Sequence, residues 1–94
     1  VNNKKLRYAI LKEIRDKNFP LTEEKLGIDA DIFDENIRFL GREHYILNVY
    51  YTDNRPKVQK LVTLTEKGEN YLEENSAVAK TYKGLKELRD WIKI

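Results

Sequence analysis

The strongest constraint on this chain is a change of hydrophobic period. Apolar residues recur at three- and four-residue steps as far as residue 44, alternate or run together over 46–64, and return to the helical spacing after 65. The first spacing suits one face of a helix and the second a pleated strand, so the element order is set before composition enters. Over 4–17, Leu6, Ala9, Ile10 and Ile14 form an amphipathic stripe with Leu11 at its margin; Lys12, Arg15 and Asp16 lie on the far side, and Asn18 and Pro20 end it. Thr22 can cap a short helix over 23–26, whose two glutamates suit the positive end of the helix dipole, and Gly27 supplies the turn. Asp29 or Asp31 can cap a third helix in which Phe33, Ile37, Leu40 and His44 share a core-facing stripe. Asp31, Glu35, Arg38 and Arg42 fall on its exposed side, with Phe39 and Ile32 along one shoulder.

Strand signals follow at 46–51 and 58–64, and the Asp53-Asn54-Arg55-Pro56-Lys57 run between them has the chemistry of a turn. Tyr45, Tyr50 and Tyr51 are expected to pack across the hairpin. Thr65 caps a helix over 66–74 despite Gly68 in its first turn. Ser76 caps a last helix, where Val78, Tyr82, Leu85, Leu88 and Ile92 make a narrow stripe with Trp91 at its edge. Three helices, a β-hairpin and C-terminal helices give an α+β fold, a winged helix–turn–helix. The expected layout is one domain over 1–94, with the three helices and wing in 1–64 and the C-terminal helices in 65–94.

Particular runs sharpen this reading. Leu64-Thr65-Glu66-Lys67-Gly68, with Tyr71 and Leu72 after it, resembles the strand-to-helix junction of small bacterial winged-helix proteins. Lys5-Leu6-Arg7-Tyr8-Ala9-Ile10-Leu11-Lys12-Glu13-Ile14, the Arg55-Pro56 pair, the residues from Glu66 to Tyr71, and Asp90-Trp91-Ile92-Lys93 resemble the YjcQ family across nearly the whole chain. The resemblance implies a small winged-helix-like protein of a bacterium or its phages or prophages. It implies no activity and carries over no catalytic or binding residue.

Composition removes several classes of function. Ninety-four residues with 40% hydrophobic and 36% charged side chains suffice for one core. The absence of cysteine excludes disulfides, thiolate metal sites and cysteine nucleophiles, and suits a reducing, cytoplasmic setting. No apolar run approaches the ~20 residues that span a bilayer, so no membrane partner is expected. His44 is the lone histidine and Ser76 the lone serine; the glutamates at 23–24 and 73–74 diverge around their helices, and the four glycines are dispersed. A nucleophile–base pair, a metal clamp and a phosphate loop therefore all lack parts, and neither an enzyme nor a cofactor is expected.

Binding remains. Net charge is +2, but residues 1–20 carry +4, 21–45 carry −4, 46–64 carry +2 and the remainder balances. In a winged-helix regulator the third helix enters the major groove and the wing meets the backbone or minor groove. Arg38 and Arg42 on that helix, with Arg55 and Lys57 at the wing, are placed to do this. Asp29, Asp31, Asp34 and Glu35 crowd the same helix. At ~8 Å from a phosphate each opposes binding by about 0.5 kcal/mol in water. The acids also have a structural reading, as partners of the helix dipole and, for Asp34 and Arg38, as an i, i+4 pair. Two functions follow. The first is weak double-stranded DNA binding by a transcription regulator; the second is a protein-interaction module, or phage accessory protein, using Arg38, Phe39 and neighbouring charges. The last helix could pair two subunits or pack on its own domain, which leaves monomer and homodimer both open.

Overall fold

The computed structural model describes residues 1–76 and 84–93. Three helices, α1 (Asn3–Arg15), α2 (Glu23–Leu26) and α3 (Ala30–Arg42), precede four short strands, β1 (Ile46–Leu47), β2 (Tyr50–Thr52), β3 (Arg55–Lys57) and β4 (Thr63–Leu64). Two helices follow, α4 (Glu66–Glu74) and α5 (Leu85–Ile92). The topology is α+β and winged-helix-like.

The expected stripe of α1, and that of α3 as far as Leu40, face the centre. Leu6, Ala9, Ile10, Leu11 and Ile14 of α1 meet Leu26 of α2 and Phe33, Ile37 and Leu40 of α3, all 3% exposed or less. Burying a side chain of this kind contributes roughly 1.5–3 kcal/mol, so α1 is the spine of the core. Polar ends close the helices. Asn2 accepts the Lys5 N–H at 3.1 Å, Thr22 the Lys25 N–H at 3.3 Å and Thr65 the Gly68 N–H at 3.1 Å. Asp29 occupies the N-cap of α3 without a side-chain capping bond.

His44 departs from expectation. It lies beyond the end of α3, exposed and with φ 64°, where its N–H donates to Gly41 at 3.1 Å while the Tyr45 N–H donates to Leu40 at 2.9 Å. This is a Schellman closure with a left-handed C′ residue, so the core stripe stops at Leu40 and the imidazole turns to solvent.

The strands also differ from one long hairpin. β1 pairs antiparallel with β4 (Ile46 with Leu64, Leu47 with Thr63), whereas β2 pairs with β3 in the register Tyr50–Lys57, Tyr51–Pro56, Thr52–Arg55. The turn is only Asp53-Asn54, both at positive φ (53° and 62°), so Arg55, Pro56 and Lys57 belong to a strand. Asp and Asn tolerate the left-handed pair that a two-residue hairpin turn requires. With Thr52 and Arg55 as the bonded closing pair, Pro56 falls at a non-hydrogen-bonded position where its missing N–H costs nothing. Asn48, at φ 70°, separates the two ribbons and donates its side-chain amide to Leu61 O at 3.2 Å. Val58 leaves the hairpin to bridge Leu21.

Gly68 is required by a close approach: a Cβ there would collide with the Tyr45 carbonyl oxygen, which accepts the Thr65 N–H at 3.1 Å. α5 packs on α1 and α2, burying Leu88, Trp91 and Ile92, with the Ile92 carbonyl accepting the Asn2 N–H at 2.9 Å. Trp91, expected at the edge of the stripe, is in the core and meets Tyr8 edge to face at 6.1 Å, while Leu85 is 37% exposed. The expected stripe positions Val78 and Tyr82 lie outside the described residues; the single helix expected from Ser76 to Ile92 is not found, because Gly84 is extended and α5 starts after it, while the Ser76 hydroxyl donates to Glu73 O at 2.9 Å.

Candidate functional site

Helical spacing sets the exposed face of α3. Asp31, Glu35, Arg38 and Arg42 are all exposed along it, as expected, so acidic side chains occupy its first half and arginines its second. Arg38 donates through Nη2 to the Asn54 carbonyl at 2.7 Å, reaching the hairpin turn. A carbonyl does not cancel its charge. Arg42 is held loosely, 3.8 Å from Glu43 with a side chain 67% exposed. Both arginines line an open groove of about 460 Å³ whose opposite side is formed by Leu47, Asn48, Val49 and Tyr51; among the described residues no carboxylate is part of this lining, and Glu43 stands just beside it, 3.8 Å from Arg42.

Arg55 is placed differently from expectation. Its guanidinium spans Asp34 of α3, with Nε–Oδ2 2.8 Å and Nη2–Oδ1 3.1 Å, and Nη2 also meets Glu23 Oε1 of α2 at 2.8 Å. The fork contact with Asp34 is the planar, bidentate pairing that arginine makes best. Asp34 is therefore the partner of Arg55 and not of Arg38, because β3 lays Arg55 against this buried carboxylate while Arg38 reaches the Asn54 carbonyl. The hydrogen bond from Arg55, helped by a backbone hydrogen bond, pulls the Glu23 carboxyl below its ordinary value against the opposing effect of burial. Arg55 itself is raised, first by Asp34 and then by Glu23. Lys57 ends β3 half-buried, opposite Tyr50.

Phe39 also departs from expectation. It is half-buried rather than an open shoulder, with the Arg7 guanidinium 3.8 Å above its ring and Tyr45 stacked at 6.3 Å. Tyr45 in turn meets Tyr71 edge to face at 5.5 Å and Lys67 Nζ at 4.5 Å, so it packs against α3 and α4 and not across the hairpin. Burial pushes the Tyr71 hydroxyl up. Tyr50 and Tyr51 do not pack: they are 50% and 54% exposed, because a two-stranded ribbon offers them only Lys57 and Pro56 as opposite neighbours. Leu47 and Leu61 are exposed nearby.

Sequence reasoning missed Arg7, Asn36, Glu23 and the groove side of Leu47, Asn48 and Tyr51. Asn36, 3% exposed, joins α1 to α3 by accepting from Arg7 Nε at 2.9 Å and donating to Ile32 O at 2.8 Å. A polar residue amid the α3 stripe is a signal that could have marked it; the pairing of Arg55 with residues 21 and 32 positions away has no local signal. Among the described residues no helix is long and apolar enough to cross a membrane, and no group of three or more His, Asp or Glu is placed to hold a metal ion.

The fold and these residues can be set beside known proteins. The chain is 55% identical over 94 residues to the uncharacterized protein YjcQ of Bacillus subtilis strain 168, covering 99% of this chain and all of that one. It is similar to the solution NMR structure of the YjcQ protein from Bacillus subtilis, with a TM-score of 0.73, 55% identity, and coverage of 81% of this chain and 99% of the other. The YjcQ protein family matches residues 3–91, and the chain belongs to that family.

Proposed function

We propose that the chain is a DNA-binding winged-helix protein that regulates transcription, docking duplex on the C-terminal half of α3. The observation that carries this is the groove, with no carboxylate among its described lining residues, in which exposed Arg38 and Arg42, one helical turn apart, face Asn48 and Tyr51. Guanidinium, amide and phenol groups all donate hydrogen bonds to phosphate oxygens. Lys57 adds a cation at the wing, and Arg55 does not. With Asp34 occupied by Arg55, the acids that still oppose a phosphate are Asp29, Asp31, Glu35 and Glu43, the last of them 3.8 Å from Arg42, together about 2 kcal/mol at ~8 Å in water. Binding is accordingly weak and strongly dependent on ionic strength.

Titration of a duplex at two salt concentrations tests this. The affinity should fall steeply as salt rises, and Arg42→Ala and Lys57→Ala should each lower the slope by about one. No binding tighter than about 100 µM at low salt overturns the reading.

A second reading, a protein-interaction module, is favoured by one observation. Leu47, Tyr50, Tyr51 and Leu61 are all half-exposed or more, and all lie in the strand region. Exposed apolar side chains grouped with arginine and tyrosine suit a protein partner. A partner captured by the wild type and lost on Tyr51→Ala, without measurable duplex binding, would establish it.

A further inference from the structure

We propose that Arg55 is a positioning residue: gripped by Asp34 and Glu23, it holds the β2–β3 hairpin in place beside α3, so that Tyr51 lines the groove. The proposal rests on the duplex reading for its effect on binding, but not for the restraint itself. The buried Pro56 anchors β3 by packing, and Arg55 beside it adds an ionic tie. A two-stranded ribbon of three-residue strands is at best marginal in water, and its strand β2 is exposed throughout. Three elements meet at one guanidinium: β3 supplies Arg55, α3 supplies Asp34 with a side chain 8% exposed, and α2 supplies Glu23 with a side chain 17% exposed. Arg38 makes a second tie from α3 to the turn, through the Asn54 carbonyl.

The same cluster argues against a phosphate contact at Arg55. Two carboxylates around one guanidinium leave the site with a net charge of about −1, so a polyanion approaching it is repelled. Taking Arg55 from its partners would also strand Asp34, which has almost no access to water. The groove is the cheaper place for a phosphate.

The two roles predict opposite signs. Asp34→Asn and Glu23→Gln each add one positive charge to the protein while weakening the grip on Arg55. A positioning role predicts that amides of the hairpin exchange about tenfold faster in Asp34→Asn, and several-fold faster in Glu23→Gln, while core amides of α1 keep their rates. Duplex affinity should drop several-fold despite the added charge. Arg55→Lys keeps the charge but loses the fork, and should fall between Arg55→Ala and wild type. Tighter duplex binding with a salt slope steeper by about one in Asp34→Asn would overturn the proposal, because it would reveal Arg55 as a released phosphate contact. Unchanged hairpin exchange in both carboxylate variants would overturn it as well. Glu23 is the more accessible partner, so its variant decides the matter if Asp34→Asn does not fold. If wild-type protein binds no duplex, the functional reading fails, while the exchange rates still decide whether Arg55 restrains the hairpin.

Discussion

The two ends of α3 are supported by different physics. Its first half is joined to the hairpin by ions, with Asp34 gripping Arg55 of β3. Its second half and the closing turn are backed by rings: Phe39 lies between Arg7 and Tyr45, and Tyr45 packs against Tyr71 of α4, whose Gly68 sits on the Tyr45 carbonyl. Ionic support is directional and weakened by salt, while ring and backbone packing is dense and indifferent to it. The end held by packing leaves Arg38 and Arg42 exposed, the first bonded to a neutral carbonyl and the second only loosely paired with Glu43; the end held by ions consumes its cation. The charge available to a partner therefore depends on how each end is anchored, and a count of charges along the helix does not reveal it.

Experiments can break either anchor. Gly68→Ala should be the most damaging, at about 3 kcal/mol, since a methyl group against the Tyr45 carbonyl must push α4 away; chemical denaturation will show it. Phe39→Ala should cost about 2 kcal/mol, less than a fully buried phenylalanine, and should leave the hairpin's exchange rates near wild type if the two anchors are independent. Converting both Asp31 and Glu35 to their amides should tighten duplex binding roughly five-fold at low salt, by removing about 1 kcal/mol of repulsion. A smaller effect belongs to pH. Because Glu23 is held below its ordinary value of 4.5, its pairing stabilises the fold fully above that value and ceases to do so as pH falls through the lowered one. The stability difference between wild type and Glu23→Gln should therefore disappear in acid; a difference that persists there sinks the ionic account. Arg42→Ala should be the mildest, changing stability by less than about 0.5 kcal/mol while still flattening the salt dependence of duplex binding.

Much of the fold is legible in the residues themselves. The stripes on α1 and α3 and the caps at Thr22 and Thr65 depend on neighbours three or four positions away, which is the range that helix geometry couples. Phe39 and Trp91 were harder to place, because their burial depends on what another element lays over them: Arg7 of α1 covers the first, and Trp91 turns its ring onto Tyr8. Of the candidate site, the exposure of Arg38 and Arg42 follows from periodicity, since a side chain opposite a core stripe must face outward. The tyrosines divide for the same geometric reason: Tyr45 adjoins α3 and α4, while Tyr50 and Tyr51 stand on a ribbon too narrow to cover them.

Period and capping chemistry by themselves determined the first four helices, the strand region and the outward arginines of α3, because those properties are local. The tertiary structure alone decided that the hairpin turns at Asp53-Asn54, that Arg55 faces carboxylates instead of solvent, and that Arg38 and Arg42 share a groove with Tyr51. Which charges meet is a matter of distance after folding, and the Coulomb energy of a pair depends on that distance and on burial, not on separation along the chain.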